Sequence, residues 1–510
     1  MKIVPKPSSI TMLDGEFVFS ASTEIVGASP LFEKELKEFI KLEDGDKNKC
    51  MFILDAIDED YRIEIGTNIV LISKDKEGLY HALQTLKQLI FEYKRNAYSY
   101  IPCCIIEDEP KYKHRALMID VVRHFYTIDT IKKIVDAMAL IKMNTLHIHL
   151  SDDQGFRIQL NKFPNLTEIG SKRAGTRGDN KPVEGYYTQQ EMIDLVLYAK
   201  QKFINIIPEI DLPGHTTALI ASYPELGCTG KEISVSEYFG IKKEILCVGK
   251  ENTYTVLYSI LDELIQIFPY KYFHIGGDEV PKTQWSECEE CKKLAKENNF
   301  STYDELQAFF TNKIINYLLS KDKTPIVWNE ALKGNTLNSN AVVQFWRDGS
   351  KCLNVKKALS EGRNVICSNS FAYYLDYPHS LTSLKKTYNY NPMFNNLGEA
   401  NNNIIGVEAP VWTEWINSTD KLFKHIFPRT LAVAENGWSS SEKDYNDFKN
   451  RVKNILDIFD YMAVPYTPIR SSNPNMFVKV FSSLHFYLNL IDKNSSETVK
   501  NYKNINMKIE

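Results

Sequence analysis

The sequence predicts an α/β protein in which an irregular (β/α)8 TIM barrel follows a smaller α+β domain. Two observations support this fold class: eight short apolar, β-rich runs follow residue 110, and helical patterns lie between most of them. Short buried strands that alternate with helices are typical of parallel βα units, and eight such units make a barrel. The alternative, a doubly wound sheet, needs a glycine-rich phosphate loop after its first strand, where this sequence has Arg123-His124-Phe125-Tyr126.

The first 110 residues have a different pattern and predict the α+β domain. Strand-like runs occupy 16–20, 51–57 and 69–73, and helical patterns occupy 31–42 and 78–93. A polar stretch then ends at Pro110, which predicts a domain boundary there. We therefore assign residues 1–110 to an accessory domain, 111–470 to the catalytic barrel and 471–510 to a C-terminal tail of unknown role.

The barrel is predicted from strands and helices that alternate along the chain. Its strand-like runs are 116–122, 145–150, 204–210, 272–275, 325–328, 341–345, 364–367 and 404–411. A capping box at Thr188 begins a helix that ends near Lys202, and residues 252–268 and 303–319 form long amphipathic patterns. The interval 329–340 is too short for a full helix, so we expect an irregular barrel there.

Composition excludes several function classes. The chain has 61 Lys and Arg against 65 Asp and Glu, a formal net charge of −4, and its basic residues are scattered, unlike those of a nucleic-acid-binding surface. No stretch approaches the ~18 consecutive apolar residues of a membrane helix, and residues 1–7 have no apolar signal-peptide core. We therefore expect a cytoplasmic protein without nucleic-acid or membrane partners, whose oligomeric state stays open.

Cys288 and Cys291 have the C-x-x-C spacing of a metal site. A structural zinc site usually has a second such pair, and this sequence has none. We therefore expect reduced thiols or one local disulfide here, and no metal or cofactor.

Acidic and aromatic residues are concentrated where the predicted barrel strands end. In a (β/α)8 barrel the active site lies at these carboxyl ends. The residues found there are Asp120, Arg123, His149, Asp152, Asp153, Glu209, Asp211, His215, Asp278, Glu279, Trp328, Glu330, Trp346, Tyr374, Asp376, Trp412 and Glu414. Carboxylates and aromatic faces around one mouth predict a sugar site with acid–base chemistry.

Asp278 and Glu279 are the sharpest feature of this set. They follow two glycines at the end of the fourth predicted strand. Adjacent residues cannot oppose each other across a sugar ring as the two carboxylates of an ordinary glycosidase do. The pair therefore suggests one proton donor and one residue that positions another group.

Several motifs in order resemble glycoside hydrolase family 20, the β-N-acetylhexosaminidases. They are residues 120–125 (DVVRHF), 147–153 (HIHLSDD), 211–215 (DLPGH), 274–279 (HIGGDE), 327–330 (VWNE), 374–376 (YLD) and 406–414 (GVEAPVWTE). The N-terminal segment is also similar to the accessory domain of that family. Asn329 and Thr413 depart from the family pattern without touching the central groups.

The resemblance implies exo-hydrolysis of an N-acetylhexosaminide oligosaccharide or glycoconjugate, with the substrate's acetamido oxygen as nucleophile. In this scheme Glu279 is the acid and base, and Asp278 accepts the acetamido N–H. The implied binding residues are Arg123, Asp376 and Glu414 for hydroxyls, Tyr374 for the acetamido oxygen, and Trp328, Trp346 and Trp412 as walls. Asp152 and His215 would hold Glu279, with His149 in the same supporting group.

Other interpretations stay open. Arg123 can simply pair with a carboxylate, a strand-end tryptophan can belong to the core, and His149 and His215 can be structural. At the level of function, His147-Ile148-His149 also suggests a metal-dependent amidohydrolase, although that family has its HxH on the first strand. A non-catalytic sugar-binding relic is the third reading, but it would have lost the acid Glu279.

Overall fold

The structure is a computed structural model that describes residues 1–39, 41–45, 47–176, 180–349, 351–490 and 509. Its larger part is a barrel of eight parallel strands, which confirms the predicted fold class. The barrel strands are His114–Asp120, Thr145–Asp152, Asn205–Ile210, Tyr272–His274, Thr324–Trp328, Val342–Phe345, Val365–Cys367 and Ile404–Val411. The first strand pairs with both the second and the eighth, so the sheet closes on itself.

The register of the strands determines which side chains meet at the mouth. Glu209 on the third strand lies beside His149 on the second and His274 on the fourth. Asp120 on the first strand likewise lies beside His149. Because all eight strands run in the same direction, their carboxyl ends open at one face of the barrel.

Helices surround the barrel as the periodicity predicts. The longer ones are Ile128–Leu140, Gln189–Gln201, Glu251–Ile267, Glu289–Glu297, Tyr303–Leu319, Leu353–Ser360, Thr419–Ile426, Arg429–Trp438 and Tyr445–Tyr461. The capping box at Thr188 is present, and Thr302 forms a second one. Between the fifth and sixth strands the chain makes a 3-10 helix, Asn329–Gly334, where we expected an irregular connection.

Short elements fill the loops. The short helices are Asn165–Glu168, Thr217–Ser222, Thr283–Glu287, Ser370–Tyr373 and Leu384–Asn389, with 3-10 turns at Pro224–Leu226 and Gly398–Asn403. The strand Gly155–Phe156 forms a hairpin with the second barrel strand, and Lys172–Arg173 pairs with Val183–Glu184.

The N-terminal part is a mixed sheet with two helices. Its strands are Ser9–Phe19, Glu24–Val26, Lys49–Leu54, Tyr61–Ile65, Ile69–Ser73, Lys94–Arg95 and Tyr98–Asp108, and its helices are Pro30–Phe39 and Lys76–Glu92. The helix Lys76–Glu92 is buried along most of its length because it packs between this sheet and the barrel helices Ile128–Leu140 and Tyr445–Tyr461. The long strand Tyr98–Asp108 has no counterpart in the sequence prediction.

Asp108 joins the two parts of the chain. Its carboxylate accepts hydrogen bonds from the Lys142 ammonium at 2.9 Å and from the Trp438 indole N–H at 2.9 Å, both on the barrel side. Tyr61 donates to the same carboxylate from the N-terminal sheet. The predicted boundary at residue 110 lies in the short connection that follows Asp108.

The C-terminal part adds one helix after the barrel, Met476–Leu490. Residues 491–508 and 510 of the predicted tail lie outside the described residues. Among the residues that the structure describes, no helix combines the length and apolar character needed to span a membrane.

Candidate active site

A tight turn after the fourth strand brings Asp278 and Glu279 into the mouth of the barrel. Gly276 and Gly277 have φ angles of +65° and +103°, and Glu279 has a φ of 49°. A Cβ atom on Gly276 would lie 1.7 Å from Oδ1 of Asp211, so this approach requires glycine. The same Asp211 oxygen accepts a hydrogen bond from the Gly277 N–H at 3.1 Å. Asp211 therefore fixes the turn that presents both acids.

His215 faces both acids from the third βα connection. Its Nε2 atom lies 3.9 Å from Oδ2 of Asp278 and 3.8 Å from Oε2 of Glu279. Its Nδ1 atom lies 3.2 Å from Oδ1 of Asp152. Burial acts to lower the pKa of His215, but Asp152 and Asp153 together hold that pKa well above its ordinary value. The ring is thus an imidazolium between two sets of carboxylates.

The environments of the two acids separate their protonation states. Burial and the neighbouring Asp278 raise the pKa of Glu279 to about 8. Burial raises the pKa of Asp278 to about 6. The charge of His215 acts to lower this pKa, and the charge of Glu330 acts to raise it. The backbone N–H of Glu279 donates to Glu330 at 3.0 Å, so that carboxylate lies close by. Near neutral pH Glu279 holds a proton that it can give up, as a general acid must.

Arg123 is buried between carboxylates and an aromatic face. Its Nη2 lies 2.7 Å from Oδ2 of Asp152, and its Nε donates to Gln154 at 2.8 Å. Its guanidinium lies 5.0 Å from the ring centroid of Trp412. Asp152 and Asp120 raise the pKa of Arg123 above its ordinary value, so the group stays charged. The alternative that Arg123 pairs with carboxylates is therefore realised, and the side chain also lines the cavity.

Aromatic rings form one wall of the cavity. Trp346 and Tyr374 are stacked with centroids 6.0 Å apart and an interplanar angle of 15°, and Tyr374 lies 6.4 Å from Trp412. Trp328 is placed differently: it is buried in the barrel interior, packs on Trp412, and donates its indole N–H to Glu209 at 2.9 Å. Three of the four predicted aromatic residues line the cavity, and Trp328 supports one of them.

Three buried polar atoms at the cavity have no hydrogen-bond partner among the described residues. They are Oδ1 of Asp278, Nε1 of Trp346 and Oδ1 of Asp376. Unpaired buried polar atoms are costly, so such a group in a cavity points to a ligand that completes it. The three side chains that carry these atoms line a cavity of about 440 Å³, a size that suits a compact polar ligand.

Asp376 and Glu414 add further acidic groups to the lining. Burial, and next the nearby charge of Glu414, raise the pKa of Asp376 well above its ordinary value. Burial also raises the pKa of Glu414, against the opposing charge of Arg123. A bound ligand that donates hydrogen bonds to these two carboxyl groups would stabilise their charged forms.

A buried network supports the site from below. His149 lies 2.5 Å from Glu209 through Nδ1 and 2.8 Å from Asp152 through Nε2. Asp152 thus contacts His149, His215 and Arg123 together, and these charges hold its pKa well below its ordinary value. The predicted supporting residues are brought together, with Asp152 at their centre.

Other lining residues have no role in the sequence analysis. Asp211, which lines the cavity, and Glu330, which accepts from the Glu279 N–H, both follow predicted strands, and that position is the signal by which both are found. Arg347, Phe371, Tyr377, Lys386, Trp415 and Phe486 also line the cavity. Phe486 comes from the helix Met476–Leu490 and packs on Tyr377 at 5.7 Å, a contact that no sequence pattern indicates.

Comparison with known proteins agrees with this geometry. The model for the catalytic domain of glycosyl hydrolase family 20 matches residues 112–441, and the model for domain 2 of that family matches residues 1–109. A β-hexosaminidase of Porphyromonas gingivalis is 32% identical over 91% of this chain, which spans 64% of that relative's length. A β-hexosaminidase of Akkermansia muciniphila is 35% identical, over 77% of this chain and 82% of its own.

Solved structures show the same likeness. The exo-β-N-acetylglucosaminidase of Vibrio harveyi in complex with N-acetylglucosamine superposes with a TM-score of 0.82 at 28% identity. The match covers 92% of this chain and 78% of the Vibrio chain.

Proposed function

The chain belongs to glycosyl hydrolase family 20, and from this membership we propose that it releases terminal N-acetyl-β-D-hexosamine residues from oligosaccharides or glycoconjugates. The resemblance predicted from its motifs is confirmed, and the chain is a glycoside hydrolase. It acts as an exo-β-N-acetylhexosaminidase on one sugar at the non-reducing end. One observation supports this most directly: the adjacent carboxyl groups of Asp278 and Glu279 enter one cavity, and His215 lies 3.9 Å from the first and 3.8 Å from the second.

Glu279 does the proton transfer. It donates its proton to the glycosidic oxygen as the bond from that oxygen to the anomeric carbon breaks. Later, as a carboxylate, it takes a proton from the water that attacks the same carbon, and so regains its starting state. Its pKa of about 8 keeps the first step available at neutral pH.

Asp278 positions the nucleophile, which belongs to the substrate. The 2-acetamido oxygen attacks the anomeric carbon, and the leaving group departs as an alcohol with the Glu279 proton. Asp278 accepts the acetamido N–H through its unpaired Oδ1 and stabilises the positive charge of the resulting oxazolinium. Water then opens the ring from the other side, so the β configuration is retained. This substrate-assisted route is a known exception to the two-carboxylate rule.

The remaining lining groups bind the sugar. Arg123, Asp376 and Glu414 bind hydroxyls at the closed end, and Tyr374 donates to the acetamido oxygen. Trp346 and Trp412 enclose the ring and acetamido group, with Trp328 holding Trp412 in place. A closed end leaves no path for a longer chain, which is the reason for exo action.

The rival functions find less support. In the amidohydrolase reading His149 would bind a metal, but both of its ring nitrogens contact carboxylates, those of Glu209 and Asp152. The sugar-binding relic is disfavoured because Glu279 is present beside His215. The cytoplasmic location stays a prediction.

The test is turnover by the purified protein of chromogenic N-acetyl-β-glucosaminide and N-acetyl-β-galactosaminide, followed by chitin oligomers. We expect hydrolysis of at least one epimer and release of monosaccharide from the earliest time points. Glu279→Gln is the matched control for a contaminating enzyme. Internal cleavage as the dominant early event would contradict exo action, and no turnover of either epimer would favour the binding relic.

A further inference from the structure

We propose that Cys228, Cys247, Cys288 and Cys291 bind one zinc ion in a structural site outside the active site. The four sulfurs all lie within 4.8 Å of one another. Sγ of Cys247 is 3.7 Å from those of both Cys288 and Cys291, and Sγ of Cys228 is 3.9 Å from that of Cys291. A tetrahedral zinc with Zn–S bonds of about 2.3 Å separates its sulfurs by about 3.8 Å. These three sulfur–sulfur separations match that geometry.

The same distances argue against disulfides. A disulfide needs sulfurs about 2.05 Å apart, and these cysteines are all free thiols. From the sequence we expected reduced thiols or a local disulfide at Cys288 and Cys291, because the sequence contains no second C-x-x-C pair. The fold supplies the other pair from a separate segment, with Cys228 and Cys247 well apart in sequence. Four converging thiols are the donor set of a closed structural zinc site.

The backbone around the cluster is built for close approach. A Cβ atom on Gly249 would lie 2.3 Å from the carbonyl carbon of Glu290 and 2.6 Å from the nitrogen of Cys291. Only glycine at residue 249 therefore lets the segment after Cys247 reach the C-x-x-C turn. Trp285 donates its indole N–H to the Leu246 carbonyl at 2.9 Å and holds the neighbouring residue from the other side.

The two ends of the intervening loop are held together as well. Gly227 and Leu246 form an isolated antiparallel bridge, and the Cys247 N–H donates to the Leu226 carbonyl at 2.8 Å. Lys250 donates to the Gly227 carbonyl at 2.8 Å. Binding Zn²⁺ to the four thiols releases four protons and leaves a centre of charge −2.

Four protein ligands leave no open position, so the ion would be structural. Soft thiolates select zinc or iron over hard cations, and zinc needs no redox partner. The chain from 228 to 247 contains no helix, and its base would be closed by the metal. Long loops of this kind gain order from such a crosslink.

This loop touches the active site. Phe239 packs edge-on against Trp415, which lines the cavity, with centroids 5.7 Å apart. The Tyr238 carbonyl accepts from Gln154 at 2.9 Å, and Gln154 in turn accepts from Arg123. The zinc would thus tie the loop that orients Arg123 to the segment that follows Glu279.

Metal content of the full-length protein, purified without chelator, tests the assignment. We expect about one zinc per chain by mass spectrometry of the metals, and its release as a thiol-reactive mercurial titrates the four cysteines. Growth with cobalt should give the charge-transfer and ligand-field bands of tetrahedral CoS₄. Iron in place of zinc, two disulfides by intact mass, or less than a tenth of an equivalent of metal would each overturn the proposal.

Cysteine-to-serine variants distinguish a loss of zinc binding from a general loss of folding. Cys247→Ser should lose at least nine-tenths of the zinc, whereas Cys352→Ser, which changes a partly buried thiol outside the cluster, should keep it. If Cys247→Ser does not fold, Cys228→Ser changes a less buried ligand and should show the same loss. Equal zinc in all variants would overturn the assignment.

Proteolysis reports on the loop independently of activity. Lys231 and Lys243 are exposed within it, so trypsin can reach them once the base opens. We expect cleavage there to be at least tenfold faster in Cys247→Ser or after mercurial treatment than in the untreated protein or Cys352→Ser. Equal rates would contradict a metal that holds the loop. The test needs no turnover, so its failure is distinct from failure of the proposed function.

Discussion

Nδ1 of His215 lies 3.2 Å from Oδ1 of Asp152, and this contact turns the opposite ring nitrogen towards the two acids. The other oxygen of Asp152 contacts Arg123 at 2.7 Å. One carboxylate therefore orients both His215, which faces the two acids, and Arg123, which lines the cavity. A single positive charge beside Asp278 and Glu279 lowers the pKa of each.

Removing that charge should shift the pH profile. In His215→Gln we expect the pKa of Asp278 and that of Glu279 both to rise, because an imidazolium that favoured the carboxylate forms is gone. Both limbs of the profile of kcat/KM should move to higher pH. The control is Asp420→Asn, which changes an exposed side chain of the helix Thr419–Ile426. A profile of reduced height with unmoved limbs would contradict this role for His215.

The wild-type profile of kcat/KM should be bell-shaped. Asp278 must be charged, so activity should fall as the pH drops below about 6 and it takes up a proton. Glu279 must be protonated, so activity should also fall as the pH rises above about 8. Initial rates at low substrate across this range give the two limbs. An optimum outside this window would contradict the assignment of the two groups.

The fold could be predicted because its signals are local. Buried parallel strands are short apolar runs, and all eight barrel strands lie where such runs occur. The strand Tyr98–Asp108 was missed because it contains Pro102 and a mixed pattern, and its pairing with Ser9–Phe19 bridges distant parts of the sequence. Pairing of that kind has no local signature.

Residues that follow the barrel strands could be located from the sequence, whereas residues that loops bring together could not. The position of Asp278 and Glu279 follows from the strand and its glycines. The buried indole N–H of Trp328 bonds to Glu209, which lies on a barrel strand distant in the sequence. The cysteine cluster was missed for the same reason, because Cys228 and Cys247 meet Cys288 only in the folded chain.

Glu279→Gln should separate substrates by their leaving groups. The amide keeps the shape of the side chain but has no proton to give, and general acid catalysis contributes about 10²–10⁴-fold. We expect activity to fall by that factor on substrates with a poor leaving group, such as the hydroxyl of another sugar. The fall should be smaller on substrates that release a nitrophenolate. The ratio of kcat/KM for the two substrate types measures this. An equal loss on both would show that Glu279 acts in another way.

Asp376→Asn should weaken binding of the sugar. Oδ1 of Asp376 has no hydrogen-bond partner among the described residues, and a hydroxyl bonded to a charged group contributes about 1.5–3 kcal/mol. We expect kcat/KM to fall by about 10- to 150-fold, with the pH profile otherwise retained. Asp420→Asn serves again as the exposed control. Unchanged kinetics would remove Asp376 from the sugar site.

Substrate assistance itself predicts that the acetamido group is essential. Without that group no nucleophile exists, so an otherwise identical β-glucoside should be almost inert even at saturating concentration. Weak binding alone would instead raise KM and leave kcat unchanged. The comparison of kcat for the two substrates therefore distinguishes the mechanism from simple recognition. Brisk turnover of the β-glucoside, or a sugar trapped covalently on a protein carboxylate, would contradict it.

Asp278→Asn should report the charge that develops in the intermediate. A neutral amide no longer stabilises the oxazolinium, and removal of one such preorganised group costs about 10²–10³-fold in kcat. A thiazoline mimic of the intermediate should bind the wild type far more tightly than the product does, because the site is complementary to the charged species. Asp278→Asn should lose most of that advantage while its affinity for product changes little. Equal losses for mimic and product would mean that Asp278 acts in ground-state binding alone.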